Sequence, residues 1–242
     1  MPGLDWLTAR PVAHRGLHEA AAGVIENMPQ AFRAAVAGNY AIECDIQLSS
    51  DGEVMVFHDE TLDRLTMSQG ALNARSADEL KRIDFKNTSD RMITLSELCA
   101  MVAGRVTLVI ELKSQFDRDA RLAARTVQEL KGYAGPVALM SFDPVLIAAV
   151  RELAPSLPRG LVAENQSASE LGQGGISGYL RDALRARPQF LAWSIQDLPS
   201  AAPLLGRFVL GLPLLTWTVR TQAQRDTARR YADQMIFEGF RP

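Results

Sequence analysis

Residues 41–64, AIECDIQLSSDGEVMVFHDETLDR, hold two carboxylates two positions apart, Glu43 and Asp45, and then His58, one of three histidines in the chain, followed at once by Asp59. On an extended strand Ile42, Cys44, Ile46 and Leu48 share one face, and Glu43, Asp45 and Gln47 share the other. A surface strand would turn that acidic face to water. In a closed barrel the oily face lies against surrounding helices, and Glu43 and Asp45 turn toward the axis near the C-terminal mouth. Two inward carboxylates side by side repel each other, which a bound cation or a retained proton relieves.

The pair Asp51-Gly52 is a strong hairpin signal, because both central residues of a type I′ turn need positive φ. A two-residue loop there pairs Ser50 with Glu53 and, counting back, Asp45 with His58, with facing Cβ atoms about 5 Å apart. By itself His58 also reads as an ordinary hairpin histidine donating to Asp59 or Glu60. Other polar groups fall at the ends of further apolar runs: His14 and Arg15 close VAHR, and Glu111 and Lys113 alternate with Ile110 and Leu112 in VTLVIELK. Catalytic groups in barrels gather at such strand ends.

The elements that must position these groups are short. VAHR, AIECD, VTLVIELK, VALMSF, RGLVAE, QFLAWSI, PLLTWTV and QMIFEGF make eight β-rich runs, most of them separated by helix-compatible segments. That alternation belongs to α/β folds, and the count of eight favours a (β/α)8 TIM barrel over a doubly wound open sheet. In MPQAFRAAVAG, Asn27 is placed to cap a helix, Pro29 suits its first turn and Gly38 can end it. An insertion over about residues 60–105 carries two capping-box patterns, Ser76 with Glu79 and Thr94 with Glu97. GQGGISG, residues 172–178, lacks dinucleotide-binding spacing and reads as a flexible loop.

With 242 residues, 47% of them hydrophobic, the chain can bury a large core as one domain over residues 1–242. A net charge of −2 with mixed signs gives no general attraction to nucleic acid or to an anionic membrane. Cys44 and Cys99 lack metal-site spacing, and the opening MPGLDWLTARPV has neither a basic nor an apolar leader region, so a cytoplasmic location with free thiols is expected. No apolar run is long enough to span a membrane.

Together, Ala13-His14-Arg15-Gly16, Glu26-Asn27, Glu43-x-Asp45, Asp51-Gly52 leading to His58-Asp59, and Glu111-Leu112-Lys113 resemble the ordered signature of the glycerophosphodiester phosphodiesterase family. PLLTWTV and QMIFEGF resemble its closing strands. The resemblance implies a (β/α)8 barrel with a small helical insertion after the His-Asp motif. It implies Glu43, Asp45 and Glu111 as ligands of a divalent cation, Ca²⁺ or Mg²⁺, and His14 and His58 as the catalytic acid and base. Arg15 and Lys113 match phosphate-contacting positions, Glu26 a position within the same pocket, and Trp217 a wall of the glycerol pocket or a packing residue. An all-carboxylate set is a hard oxygen site, which agrees.

The reaction so implied is hydrolysis of a small-molecule glycerophosphodiester to sn-glycerol 3-phosphate and an alcohol, without nucleic acid or stable membrane association; a homo-oligomer is left open. Two alternatives remain: a related phosphodiesterase acting on lysophospholipid-type substrates, and a non-catalytic barrel binding a polyol phosphate. The family's Pro-Glu-Asn-Thr is Ile25-Glu26-Asn27-Met28 here, and its late Thr-Asp is replaced around Glu238-Gly239, so no substrate role is read for Glu238. Asn27 is expected as a helix cap, His18 as a solvated side chain, and Cys44 and Trp193 as packing residues.

Overall fold

The computed structural model describes residues 3–165 and 175–242. The first half runs α1 (Asp5–Thr8), β1 (Val12–Ala13), α2 (Pro29–Ala37), β2 (Ala41–Leu48), β3 (Val54–Val56), α3 (Ala77–Arg82), α4 (Leu95–Val102) and β4 (Leu108–Leu112). The second half runs α5 (Arg121–Leu130), β5 (Val137–Ser141), α6 (Pro144–Leu153), β6 (Arg159–Ala163), α7 (Gly175–Ala186), β7 (Phe190–Ser194), α8 (Ala201–Phe208), β8 (Leu214–Val219), α9 (Gln222–Tyr231) and β9 (Gln234–Phe237). Strand β1 pairs in parallel with both β2 and β9, which closes eight parallel strands into a (β/α)8 barrel. All eight expected runs are strands of that barrel.

Side-chain alternation sorts the core into two layers. Val12, Val109, Met140, Val162, Phe190, Leu215 and Ile236 fill the interior, with Leu7 of α1 packed against them. Ile42, Cys44, Ile46, Ile110 and Leu139 face outward onto Phe32 and Ala35 of α2, Leu98 and Val102 of α4 and Leu122 of α5. The oily face of β2 therefore meets helices, as expected of a barrel, and its acidic face is left to the interior. Cys44 is buried in the outer layer with a free thiol, and Trp193 packs against the same layer. Helix α4 belongs to that main core, whereas a third apolar cluster under α3, including Met55, Phe57, Leu72 and Leu80, holds the insertion. Both expected capping boxes are formed, at Ser76 and Thr94.

Three expectations are corrected. The β2–β3 loop has three residues, Ser50-Asp51-Gly52, because Ser49 and Glu53 pair by a backbone hydrogen bond. Only Gly52 has positive φ, so this is a turn closed by a left-handed glycine and not a type I′ pair. The register moves by one: Ile46 faces Val56, and Phe57 donates its backbone N–H to the carbonyl of Asp45, which leaves His58 just beyond the strand instead of opposite Asp45. Residues 172–174 of GQGGISG lie outside the described residues, and from Gly175 the backbone is helical, where a loop is expected. Ile176, Tyr179, Leu180 and Ala183 recur there at helical spacing. Finally, the N-cap of α2 is Met28, and Asn27 makes no cap.

Candidate active site

The site lies at the C-terminal ends of the strands. Pairing of β2 with β4 sets Asp45 beside Glu111, and alternation puts Glu43 on the same interior face. All three carboxylates are buried, and one oxygen from each lies within 4.8 Å of the other two. Burial, then the nearby Asp45 and Glu111, pushes the Glu43 carboxyl well above its ordinary range. Burial pushes Asp45 up as well, but Lys113, Arg15 and His58 outweigh it and hold that group at about 2. Lys113 Nζ stands 2.8 Å from Glu111 and 3.6 Å from Asp45, and Arg15 Nε stands 3.4 Å from Asp45. Three clustered carboxylates form an all-oxygen donor set that fits a hard divalent ion such as Ca²⁺ or Mg²⁺.

The loop after β1 is built to reach this trio. Arg15 and Asn27 adopt left-handed backbone conformations, a strain on the order of 1–3 kcal/mol each, and the Asn27 N–H donates to the Arg15 carbonyl. Gly16 follows with φ +79°, packed so closely on Ala31 that a Cβ would lie 2.9 Å from its backbone. This turn lets the Arg15 N–H donate to Glu43 at 2.9 Å. The Asn27 amide donates to Asp45 Oδ2 at 2.9 Å and accepts from the Asp45 N–H. Asn27 is thus a buried brace of a candidate ligand, which explains why it is not available as a cap.

Both histidines line one cavity of about 370 Å³ together with Glu43, Glu111, Arg15 and Lys113. Each is held at Nδ1 by a carboxylate that an arginine holds in turn. His14 Nδ1 is 2.8 Å from Glu238, which accepts from Arg220 at 3.0 Å. His58 Nδ1 is 2.7 Å from Asp59, which accepts from Arg64 Nε at 2.6 Å. A carboxylate on Nδ1 keeps a proton there and leaves Nε2 for the cavity. The His14 hydrogen bond, reinforced by Arg220, lowers Glu238 to about 2. Burial raises Asp59, but Arg64 and His58 together bring it below its ordinary range.

Glu26 is not on the cavity wall. Its carboxylate accepts from Arg15 at 2.6 Å and from Arg64 at 2.7 Å, so its contribution is to hold Arg15. Trp217 does line the cavity, fixed by its Nε1–H to the Ala192 carbonyl at 3.2 Å and by an edge contact with Phe142 at 5.5 Å. His18 is a correction: it is mostly buried, its Nε2 lacks a hydrogen-bond partner, and it stands 4.0 Å from Glu238, with burial lowering its pKa. Glu238, Arg220, Arg64 and the bracing role of Asn27 were missed by sequence reasoning. The adjacent Asp59 and the Arg five residues further on were visible in the sequence; the partners of His14 had no local signal.

The glycerophosphoryl diester phosphodiesterase family matches residues 14–237, nearly the whole barrel and every candidate site residue except Glu238. The chain belongs to this family. A glycerophosphodiester phosphodiesterase of Caldanaerobacter subterraneus subsp. tengcongensis is 32% identical over 161 residues, 62% of this chain and 65% of that relative. The matched stretch thus spans a little under two thirds of the length of that relative. The fold is shared with an Oleispira antarctica phosphodiesterase solved in complex with the product sn-glycerol-3-phosphate, at a TM-score of 0.80, 20% identity and coverage of 96% of this chain and 94% of that one. It is shared as well with a glycerophosphodiester phosphodiesterase of Thermotoga maritima, at a TM-score of 0.73, 24% identity and coverage of 94% of each.

Proposed function

We propose that this chain hydrolyses glycerophosphodiesters to sn-glycerol 3-phosphate and an alcohol, in a reaction that depends on a divalent cation and uses His14 and His58 as the acid–base pair. The observation that carries this reading is the meeting, in one cavity of about 370 Å³, of two imidazoles each fixed through Nδ1 with two cationic side chains and with Glu43 and Glu111, which form a buried carboxylate trio with Asp45. A binder of polyol phosphates has no use for two oriented proton-transfer groups, whereas phosphodiester cleavage needs one on each side of phosphorus, each contributing roughly 10²–10⁴-fold.

Arg15 and Lys113 would contact the phosphate and offset charge that builds on its equatorial oxygens. Both are pre-set: Glu26 holds Arg15, and Glu111 holds Lys113. Trp217 and Phe142 give the cavity an aromatic wall of fixed shape, suited to the carbon face of a glycerol. A Ca²⁺ or Mg²⁺ ion held by Glu43, Asp45 and Glu111 would supply Lewis-acid charge at a non-bridging phosphate oxygen. Among the described residues no helix is long and apolar enough to cross a membrane.

The test is a coupled assay for sn-glycerol 3-phosphate released from sn-glycero-3-phosphocholine, with Ca²⁺, Mg²⁺ or EDTA. Turnover is expected with metal and lost with chelator. Equal turnover in EDTA would remove the three-carboxylate site, and no release with any metal would remove the activity.

A further inference from the structure

Just beyond His14 the chain folds back on it. His14 leaves β1 opposite the end of β9, where its backbone N–H donates to the Phe237 carbonyl at 3.0 Å and Glu238 follows directly. The left-handed turn at Arg15 and Gly16 reverses the loop, which the Leu17 N–H fixes on the Ala31 carbonyl, and His18 is delivered to the same carboxylate. Its Nε2 stands 4.0 Å from Glu238 Oε2, against which His14 Nδ1 already rests at 2.8 Å. One ligand atom of each of these three residues lies within 4.8 Å of the other two. None of them belongs to the carboxylate trio, and His18 and Glu238 lie off the cavity wall, on the Nδ1 side of the His14 ring.

The His18 Nε2 is buried without a hydrogen-bond partner, and a proton on it would find Glu238 too distant to accept it. Without that proton a bare lone pair faces a carboxylate, and a cation between the two satisfies both. We infer that His14 Nδ1, His18 Nε2 and Glu238 form a second metal site, for a borderline divalent transition ion of the Zn²⁺ class. Two nitrogens and one carboxylate with an open fourth position suit Zn²⁺, whereas the all-oxygen trio suits Ca²⁺ or Mg²⁺. Zinc at about 2.0–2.1 Å from each ligand atom spaces tetrahedral ligands about 3.3 Å apart. The separations of 2.8 and 4.0 Å straddle that spacing, so small side-chain movements close the site. The side chains of His14, His18 and Glu238 keep 12%, 15% and 23% of their exposure, enough for an ion to enter from solvent. Arg220, half exposed beside Glu238, can swing into water to admit it.

Occupancy would arrest His14. The ion takes the Nδ1 lone pair, so the ring's only proton resides on Nε2 and the ring can no longer pass between imidazole and imidazolium, on which either an acid or a base role depends. The metal site stands on its own geometry; this consequence rests on the phosphodiesterase reading above. A hard cation in the trio and a borderline one behind His14 would then act in opposite senses, the first required for turnover and the second halting it.

Two measurements test this. In calorimetric titrations of the whole chain with Zn²⁺ at saturating Mg²⁺, wild type is expected to bind the ion, and His18→Ala and His18→Gln are each expected to weaken that binding at least about tenfold, the loss that even an indirect partner of a metal ligand causes. Unchanged affinity in the folded variants would overturn the site. In the coupled assay with sn-glycero-3-phosphocholine and Mg²⁺, Zn²⁺ is expected to inhibit wild type, and His18→Gln is expected to raise the half-inhibiting Zn²⁺ concentration at least about tenfold, each protein being measured against its own zinc-free rate. Inhibition of both proteins at the same Zn²⁺ concentration, relieved by excess Mg²⁺, would put the inhibiting ion in the carboxylate trio and overturn the arrest of His14. Wild type that bound Zn²⁺ through His18 yet released no sn-glycerol 3-phosphate with any metal would support the metal site and sink the phosphodiesterase reading instead.

Discussion

The carboxylate that holds His58 is its own neighbour, Asp59, whereas the one that holds His14, Glu238, lies 224 residues away along the sequence, just beyond the adjacent strand β9. The two clamps are chemically alike: imidazole Nδ1 to carboxylate, carboxylate to arginine. They differ in what supports them. The His58 clamp is tied through Arg64 to Glu26 and thence to Arg15, so one chain of ion pairs links a proton-transfer group to a phosphate-contacting one. The His14 clamp ends at Arg220, which is half exposed. A local clamp folds with its hairpin; a long-range clamp exists only once β1 and β9 have paired. Damage to the barrel seam should therefore reach His14 before it reaches His58.

The comparison can be broken by substitution. The largest effect belongs to the imidazoles: His14→Ala and His58→Ala should each cut kcat on sn-glycero-3-phosphocholine by about 10²–10⁴-fold with the fold intact by circular dichroism. A loss below tenfold for either would remove it from the pair. Next come the carboxylates. Asp59→Asn and Glu238→Gln should each lower kcat by about 10- to 100-fold with little change in KM, because they orient a ring and do not touch substrate. A rise in KM alone would show that the group contacts substrate instead.

The arginines separate the two clamps. Arg64→Gln unsettles Asp59 and Glu26 together and should cost about tenfold in kcat, whereas the exposed Arg220 pair is worth no more than about 1 kcal/mol, under about fivefold. Matching losses would mean that the link to Glu26 has no influence. The smallest effect is on stability. Because folding lowers Glu238 from 4.5 to about 2, the clamp stabilises the native state fully above the unfolded value, and that contribution disappears as pH falls from about 5 toward 2. Urea midpoints measured over this range should fall more steeply for wild type than for Glu238→Gln; parallel curves would mean that the carboxylate is not held in solution.

Much of this was legible from residue order. Alternation in AIECDIQL placed Glu43 and Asp45 on the inner face, and ELK placed Glu111 beside them, because a strand's side-chain period of two holds wherever the strand lies. Capping boxes at Ser76 and Thr94 were readable because each involves residues three apart. The hairpin was readable as a turn but not in register: Asp51-Gly52 also suits a three-residue loop with only its glycine left-handed, and one added residue shifts every pair.

By itself, then, the order of residues determined the eight strands, their inward carboxylates and the His58–Asp59 neighbourhood, all set by dihedral preference and periodicity within a few residues. Closure of the barrel decided the rest. It brought Glu238 to His14 through the β1–β9 seam, turned Asn27 from a cap into a brace for Asp45, and placed Arg64 between two acids from different loops. Such contacts are made between segments that share no local conformational signal, and only burial of two apolar layers around a closed sheet brings them within hydrogen-bonding distance.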